Sequence, residues 1–228
     1  MLDNRIIAIT VSTNYSDILP YTLANNAKYF DHWYIITQAN DHLTRQCVAD
    51  TGSPKITLLD WDFQSQAPDP VRPGEFTVRY FDKGGAIRHA QQLAYQQWPD
   101  HWYLVMDTDI LIRSERDLIT DHLCREHIYG PGARLDYASY SAYQQGQIHR
   151  NYFNGDPRII GFFQLYHSQR FYQPSVDSNW CDVEFTKQWP EHQQEILAIT
   201  VDHLGYWGED VECTHRGRRL GNGFNNDR

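Results

Sequence analysis

The sequence predicts an α/β fold: one domain on a mostly parallel sheet flanked by helices, with a less regular second half. Three observations predict it. Short, β-branched apolar runs alternate with segments of helical period over the first hundred or so residues, and βαβ alternation gives a parallel sheet with right-handed crossovers. The chain, at 228 residues, is long enough to bury a core without covalent staples. No internal repeat and no linker divides it, so residues 1–228 read as one domain, more regular over 1–113 than over 114–228.

Ile6-Ile7-Ala8-Ile9-Thr10-Val11 reads as a strand buried on both faces. Leu19, Leu23, Ala27 and Phe30 follow at helical spacing, with Asn14 and Ser16 as candidate caps. Trp33 to Thr37 is a second strand, Asp41 to Ala49 a helix closed by Gly52-Ser53-Pro54, and Lys55 to Leu59 a third strand. Asp60 to Val78, rich in Pro and Gln, reads as a long loop. Lys83 to Trp98 is a helix with Ile87, Ala90, Ala94 and Trp98 on one face, and His101 to Met106 a buried strand. Later come a short strand at Ile110 to Ile112, a strand from Arg158 to Tyr166, a helix from Asn179 to Trp189 and a last core strand from Ile196 to Val201. Gly130 to Gly155, rich in Tyr, Gly and Gln, predicts no element.

Charge and cysteine usage narrow the function classes. A net charge of −9 argues against a generic duplex nucleic-acid surface, which needs clustered Lys and Arg. The one clear basic cluster is Arg216, Arg218 and Arg219. Four scattered cysteines show neither zinc spacing nor a disulfide framework, so reduced thiols in the cytoplasm are expected. No signal peptide or transmembrane segment is expected either. Aromatic residues make up 14%, mostly Tyr and Trp, which suit clefts where a ring stacks on a sugar or base.

The sharpest motif is Asp107-Thr108-Asp109, preceded by Leu104-Val105-Met106 and followed by Ile110-Leu111-Ile112. Residues i and i+2 of an extended chain point the same way, so both carboxylates are expected to face one cleft at the carboxyl end of a strand. Buried like charges need a cation or partners, and two carboxylates with diphosphate oxygens suit Mn²⁺ or Mg²⁺. A second copy, Asp60-Trp61-Asp62, is expected to be a loop or a base-side contact. Lys83-Gly84-Gly85 opens a helix whose first amides favour anions, and Lys83, Arg79 or Arg88 could meet a diphosphate there. His203, after the last strand, is a candidate third metal ligand. Trp207 could stack on a sugar, and Glu209 or Asp210 could accept a proton from an acceptor hydroxyl. Each motif also has a plainer structural reading: a capped turn, a basic surface helix, a satisfied histidine, an acidic turn.

In this order the motifs resemble the GT-A glycosyltransferases, which implies a single GT-A-like domain on a Rossmann-like, mostly parallel sheet, with a nucleotide-sugar-binding half over 1–113 and a less regular acceptor-side half over 114–228. Ile9-Thr10-Val11-Ser12-Thr13-Asn14 is similar to the first strand of glycogenin-like enzymes, and that likeness implies nucleotide contacts from Val11, Thr13 and Asn14. Lys83 and Asp107-Thr108-Asp109 resemble the family's diphosphate lysine and metal motif, and His203-Leu204-Gly205 its C-terminal metal-completing segment. The Lys-Pro-Trp stretch that follows in glycogenin-like enzymes is missing. Trp207-Gly208-Glu209-Asp210 resembles instead the Trp-Gly-Glu-Asp region of inverting galactosyltransferases. The two likenesses imply opposite stereochemistry; inversion, with Asp210 or Glu209 as base, is the expectation taken. The resemblance implies transfer from a nucleoside-diphosphate sugar, UDP favoured, to a glycan or other hydroxyl acceptor. A nucleotidyltransferase and a non-catalytic glycan-binding module are the alternatives. Ser12 to Ser16 lacks the Gly, Arg and Lys that the first alternative would need.

Overall fold

A computed structural model describes residues 5–67, 78–113, 123–137, 140–151, 159, 161–174 and 181–204. Strand β1 (Ile6–Val11) runs parallel between β2 (His32–Thr37) and β6 (Trp102–Met106), and β3 (Ile56–Asp60) lies parallel on the outer side of β2. Past β6 the sheet is mixed. The antiparallel β10 (Phe163–Tyr166) comes first, then β8 (Ile128–Asp136), β11 (Gln194–His203) and β7 (Ile110–Ile112). β9 (Arg150–Asn151) pairs with β8, and β4 (Gln64–Ala67) pairs with β5 (Val78–Phe81) in a separate ribbon.

Helices cover both faces, because β1 and β6 carry apolar residues towards each side of the sheet. On β1, Ile6 and Ala8 join Leu19 and Leu23 of α1 (Leu19–Asn26) and Val48 of α2 (His42–Asp50) in one core. Ile7 and Ile9 face the other way, onto Ile87, Ala90 and Ala94 of α3 (Lys83–Gln97) and Phe185 of α5 (Cys181–Thr186). The short α4 (Tyr140–Gln144) follows β8.

The sheet curls. Strand β7 lies four strands from β6 in the sheet, a flat distance of roughly 19 Å at about 4.8 Å per strand. Yet only Asp107, Thr108 and Asp109 join the two, and four residue steps reach at most about 14 Å. The far half of the sheet must therefore bend back towards the end of β6.

Several expectations change. The first helix begins with Pro20 in its first turn and has no side-chain cap, so neither Asn14 nor Ser16 caps it. The expected loop after Asp60 contains the β4–β5 ribbon. The stretch from Gly130 holds most of β8, hidden from a sequence reading by Gly130-Pro131-Gly132. A Cβ at Gly130 would sit 3.0 Å from Ile159 Cγ1, and one at Gly132 would sit 2.8 Å from the Leu197 carbonyl oxygen. Glycine is there for close approach, and a register shift in β11 between Leu197 and Thr200 accompanies Pro131. No helix among the described residues is long and apolar enough to cross a membrane.

Candidate functional site

The strand order reverses beside β1: one connection leads to β2, the other side is occupied by β6. In open α/β sheets ligands bind at this switch point, outside the carboxyl ends of the strands. Here the ends of β1 and β6 are tied together, as Thr108 Oγ1 donates to the Val11 carbonyl at 2.8 Å.

The segment after β1 is held from below. Ser12 N donates to the Ile36 carbonyl at 2.8 Å, continuing the β1–β2 ladder by one bond. Asn14 adopts a left-handed φ of 59°, which asparagine tolerates better than most residues. Its amide donates to Asp41 Oδ2 at 2.8 Å. The same oxygen accepts from Thr37 Oγ1 at 3.2 Å, and Asp41 Oδ1 caps α2 by accepting from Thr44 N at 3.1 Å. One buried carboxylate thus joins the ends of β1 and β2 to the start of α2. Ser12 Oγ and Thr13 Oγ1 are buried with no hydrogen-bond partner among the described residues. Unpaired buried hydroxyls in a native fold call for an explanation, and a polar ligand bound at the switch point would supply one.

Helix α3 brings the cation. Asp82 caps it by accepting from Gly85 N at 2.8 Å, so Lys83 is its first residue. Lys83 Nζ meets Asp107 Oδ1 at 2.6 Å. Burial alone would lower the lysine pKa, but Asp107, Cys181 and Asp182 outweigh it and raise it, so Lys83 stays charged. Burial pushes the neighbouring Cys181 thiol up to about 11, against the pull of Lys83. Gly84 lets the helix approach, since a Cβ there would lie 2.1 Å from the Gln173 carbonyl oxygen.

Asp107 and Asp109 do not share one environment. A turn, with Ile110 N donating to the Asp107 carbonyl at 3.4 Å, replaces the extended geometry expected between them. Asp107 remains partly exposed and faces Lys83. Asp109 is fully buried, with Oδ2 3.4 Å from His203 Nε2. His203 Nδ1 in turn lies 3.0 Å from Asp136 Oδ1. Burial would lower the His203 pKa; the carboxylates of Asp109 and Asp136 overcome it and raise the value to about 9. Burial would raise that of Asp136, but His203 and Arg134 hold it below the usual carboxylate range.

Of the residues singled out in the sequence, Val11, Thr13, Asn14, Lys83, Asp107, Asp109 and His203 thus lie along the ends of β1, β6 and β11 or at the start of α3. Arg88 does not turn to Asp107: its Nη1 donates to Gln173 Oε1 at 3.1 Å and its guanidinium lies over the Phe171 ring. Arg79 lies on β5, opposite Gln66. Asp60 pairs with Arg45, and Trp61 stacks on His89, which makes the second acidic motif part of the surface packing. Trp207, Glu209, Asp210 and the arginines at 216, 218 and 219 lie outside the described residues. Among the described residues no three His, Cys, Asp or Glu side chains are grouped to hold a metal ion. Carboxylate oxygens are donors that suit Mn²⁺ or Mg²⁺; here Asp109 lies beside His203, and Asp107 is engaged by Lys83. Sequence reasoning missed Ser12, Asp41 and Asp136. Asp41 carried one signal, its place just ahead of a helix; Asp136 carried none.

No family model and no curated protein matches the chain. Among solved structures it is similar to HddC from Yersinia pseudotuberculosis, with a TM-score of 0.53 at 7% identity over 95% of this chain and 97% of that one. It also resembles the galactosyltransferase LgtC in complex with donor and acceptor sugar analogs, with a TM-score of 0.44 at 13% identity over 96% and 94%. A third likeness is to 4-diphosphocytidyl-2C-methyl-D-erythritol synthase, with a TM-score of 0.43 at 11% identity over 87% and 90%. The HddC likeness supports the mixed α/β fold, and the two weaker ones add nothing to it.

Proposed function

We propose that this protein is a metal-dependent glycosyltransferase that moves a sugar from a nucleoside-diphosphate donor to a hydroxyl acceptor. The observation that carries the reading is the pairing of Lys83 with Asp107 after β6, whose end is tied to that of β1 by Thr108, together with the unpartnered buried hydroxyls of Ser12 and Thr13 after β1. A cation, one partly exposed carboxylate and unpartnered buried hydroxyls at the ends of β1 and β6 and the start of α3 support that reading, because phosphates bind at such strand ends and helix starts.

Val11, Ser12, Thr13 and Asn14 would contact the nucleoside, with UDP favoured. Asp107, Asp109 and His203 would hold Mn²⁺ or Mg²⁺, which when bound neutralises charge growing on the departing diphosphate. Lys83 would turn from Asp107 to the diphosphate oxygens and stabilise the same charge. Trp207 would stack on the donor sugar. Asp210 or Glu209 would take the proton as the acceptor oxygen bonds to the anomeric carbon and the bond to the diphosphate breaks; the expected outcome is inversion.

The test is product analysis with Mn²⁺ present and a panel of simple saccharide acceptors. Release of nucleoside diphosphate together with a glycosylated acceptor is the expected result. Release of pyrophosphate from a nucleoside triphosphate and a sugar phosphate would replace the reading with nucleotidyl transfer.

A further inference from the structure

Three neighbouring strands carry a row of charged side chains. In the sheet, His203 of β11 stands opposite Ile110 of β7 on one side and opposite Asp136 of β8 on the other. Asp109 is the residue just before Ile110. The strand register therefore sets Asp109, His203 and Asp136 side by side, and all three are buried. Backbone bonds lock the row: Leu204 N donates to the Asp109 carbonyl at 2.9 Å, and Tyr137 N donates to the His203 carbonyl at 2.8 Å.

Asp136 is itself fixed from behind. Arg134 Nε lies 2.8 Å from Asp136 Oδ1 and Arg134 Nη2 lies 3.3 Å from Oδ2. The guanidinium rests on the Phe162 ring, its carbon 4.7 Å from the ring centroid. Asp136 Oδ1 then stands 3.0 Å from His203 Nδ1, while His203 Nε2 points to Asp109. A carboxylate that accepts from Nδ1–H keeps the proton on that nitrogen and leaves Nε2 as the ligating atom.

We infer that Asp136 is a positioning residue, which holds the His203 imidazole with Nε2 aimed at Asp109 so that the two can share a divalent cation. This rests on the metal site proposed above. Asp136 is two strands from Asp109 and would not touch the ion; it acts through His203. A row of this kind could instead serve only to tie β7, β11 and β8 together. The two roles separate on metal affinity, since a buried ion pair kept for architecture changes stability when lost but has no reason to change affinity for a cation.

The test is Mn²⁺ alone, titrated into nucleotide-free protein and read as free Mn²⁺ by electron paramagnetic resonance. In Asp136→Asn the side-chain amide can donate to Nδ1, which leaves the ring proton on Nε2. The expected result is a dissociation constant about 10–100-fold higher than wild type, the usual scale for such partners, with far-UV circular dichroism unchanged. Equal affinity in the two proteins overturns the proposal and leaves the metal site standing. A wild type that binds no Mn²⁺ removes the metal site, and this inference with it. If Asp136→Asn does not fold, Arg134→Met/Asp136→Asn removes the neighbouring cation as well and is titrated in its place. The wild type gives an independent reading: with Cd²⁺ as a diamagnetic stand-in, the ring ¹⁵N spectrum of His203 should show the metal on Nε2 and the proton kept on Nδ1. Metal on Nδ1, or on neither nitrogen, contradicts the proposal.

Discussion

Lys83 Nζ lies 2.6 Å from Asp107 Oδ1, so the cation proposed to meet a diphosphate and the carboxylate proposed to meet a metal neutralise each other. Each proposed ligand must displace a side chain that the other would then occupy. This predicts effects of opposite sign for Lys83→Gln. Nucleoside diphosphate should bind about 10–100-fold more weakly, as expected for loss of a charge-assisted contact. Mn²⁺ alone should bind about fivefold more tightly, because a partly exposed competing ion pair of about 1 kcal/mol has gone. Calorimetric titration of each ligand separately checks both. Loss of both affinities together would point to a folding role for the lysine.

Gly84→Ala should act through packing. The new Cβ would lie 2.1 Å from the Gln173 carbonyl oxygen, which is backbone and has no rotamer to yield. The expected loss is about 1–3 kcal/mol, the usual range for overpacking, read from the urea midpoint. Displacement of the first turn of α3 should also weaken nucleotide binding through Lys83.

Asp41→Ala removes the cap of α2 and the acceptor for Asn14 N in one step. Loss of the cap alone costs about 0.5–2 kcal/mol, and urea unfolding measures it. The Ser12-Thr13-Asn14 segment should loosen as well. Nucleotide affinity should therefore fall more than it does in another variant of α2 with similar destabilisation, such as Val48→Ala, whose side chain packs in the core with Leu19 and Leu23.

His32 predicts a pH effect remote from the site. Burial lowers its pKa below the ordinary 6.5, and Nε2 lies 2.9 Å from Thr57 Oγ1. The unfolded chain therefore binds the proton more readily than the fold does. This part of the stability is present above the unfolded pKa and is lost as pH falls through about 6.5 and towards the lower folded value. His32→Gln should show a smaller loss of stability than wild type between about pH 7 and pH 5. An identical pH profile for the two proteins would contradict the assignment.

The parallel half of the sheet was legible because its signals are local. Ile6 to Val11, Trp33 to Thr37 and Trp102 to Met106 are apolar at nearly every position, and Asp41 and Asp82 each stand at the residue before a helix. The second half was less legible, because contacts with distant segments decide it. Gly130-Pro131-Gly132 reads as a loop until Ile159 and Leu197 are known to press against it. The motif Asp107-Thr108-Asp109 was legible as chemistry but not as geometry. Alternation along a strand predicted two carboxylates on one side, whereas the turn into β7 sends one to Lys83 and the other to His203. The supporting residue Asp136 left no trace in the sequence, because its partners come from β11 and from within β8, and only the strand register aligns them.

The most direct measurement is the thermal shift of the wild type and of Asp107→Asn with UDP, GDP, ADP and CMP, each with and without Mn²⁺. A ligand at a hundred times its dissociation constant stabilises a fold by about 2.7 kcal/mol, a visible rise in Tm. The account predicts a rise for one nucleoside diphosphate, UDP first, that requires Mn²⁺ and vanishes in Asp107→Asn. No rise with any nucleotide, or a rise indifferent to both Mn²⁺ and Asp107, would contradict it.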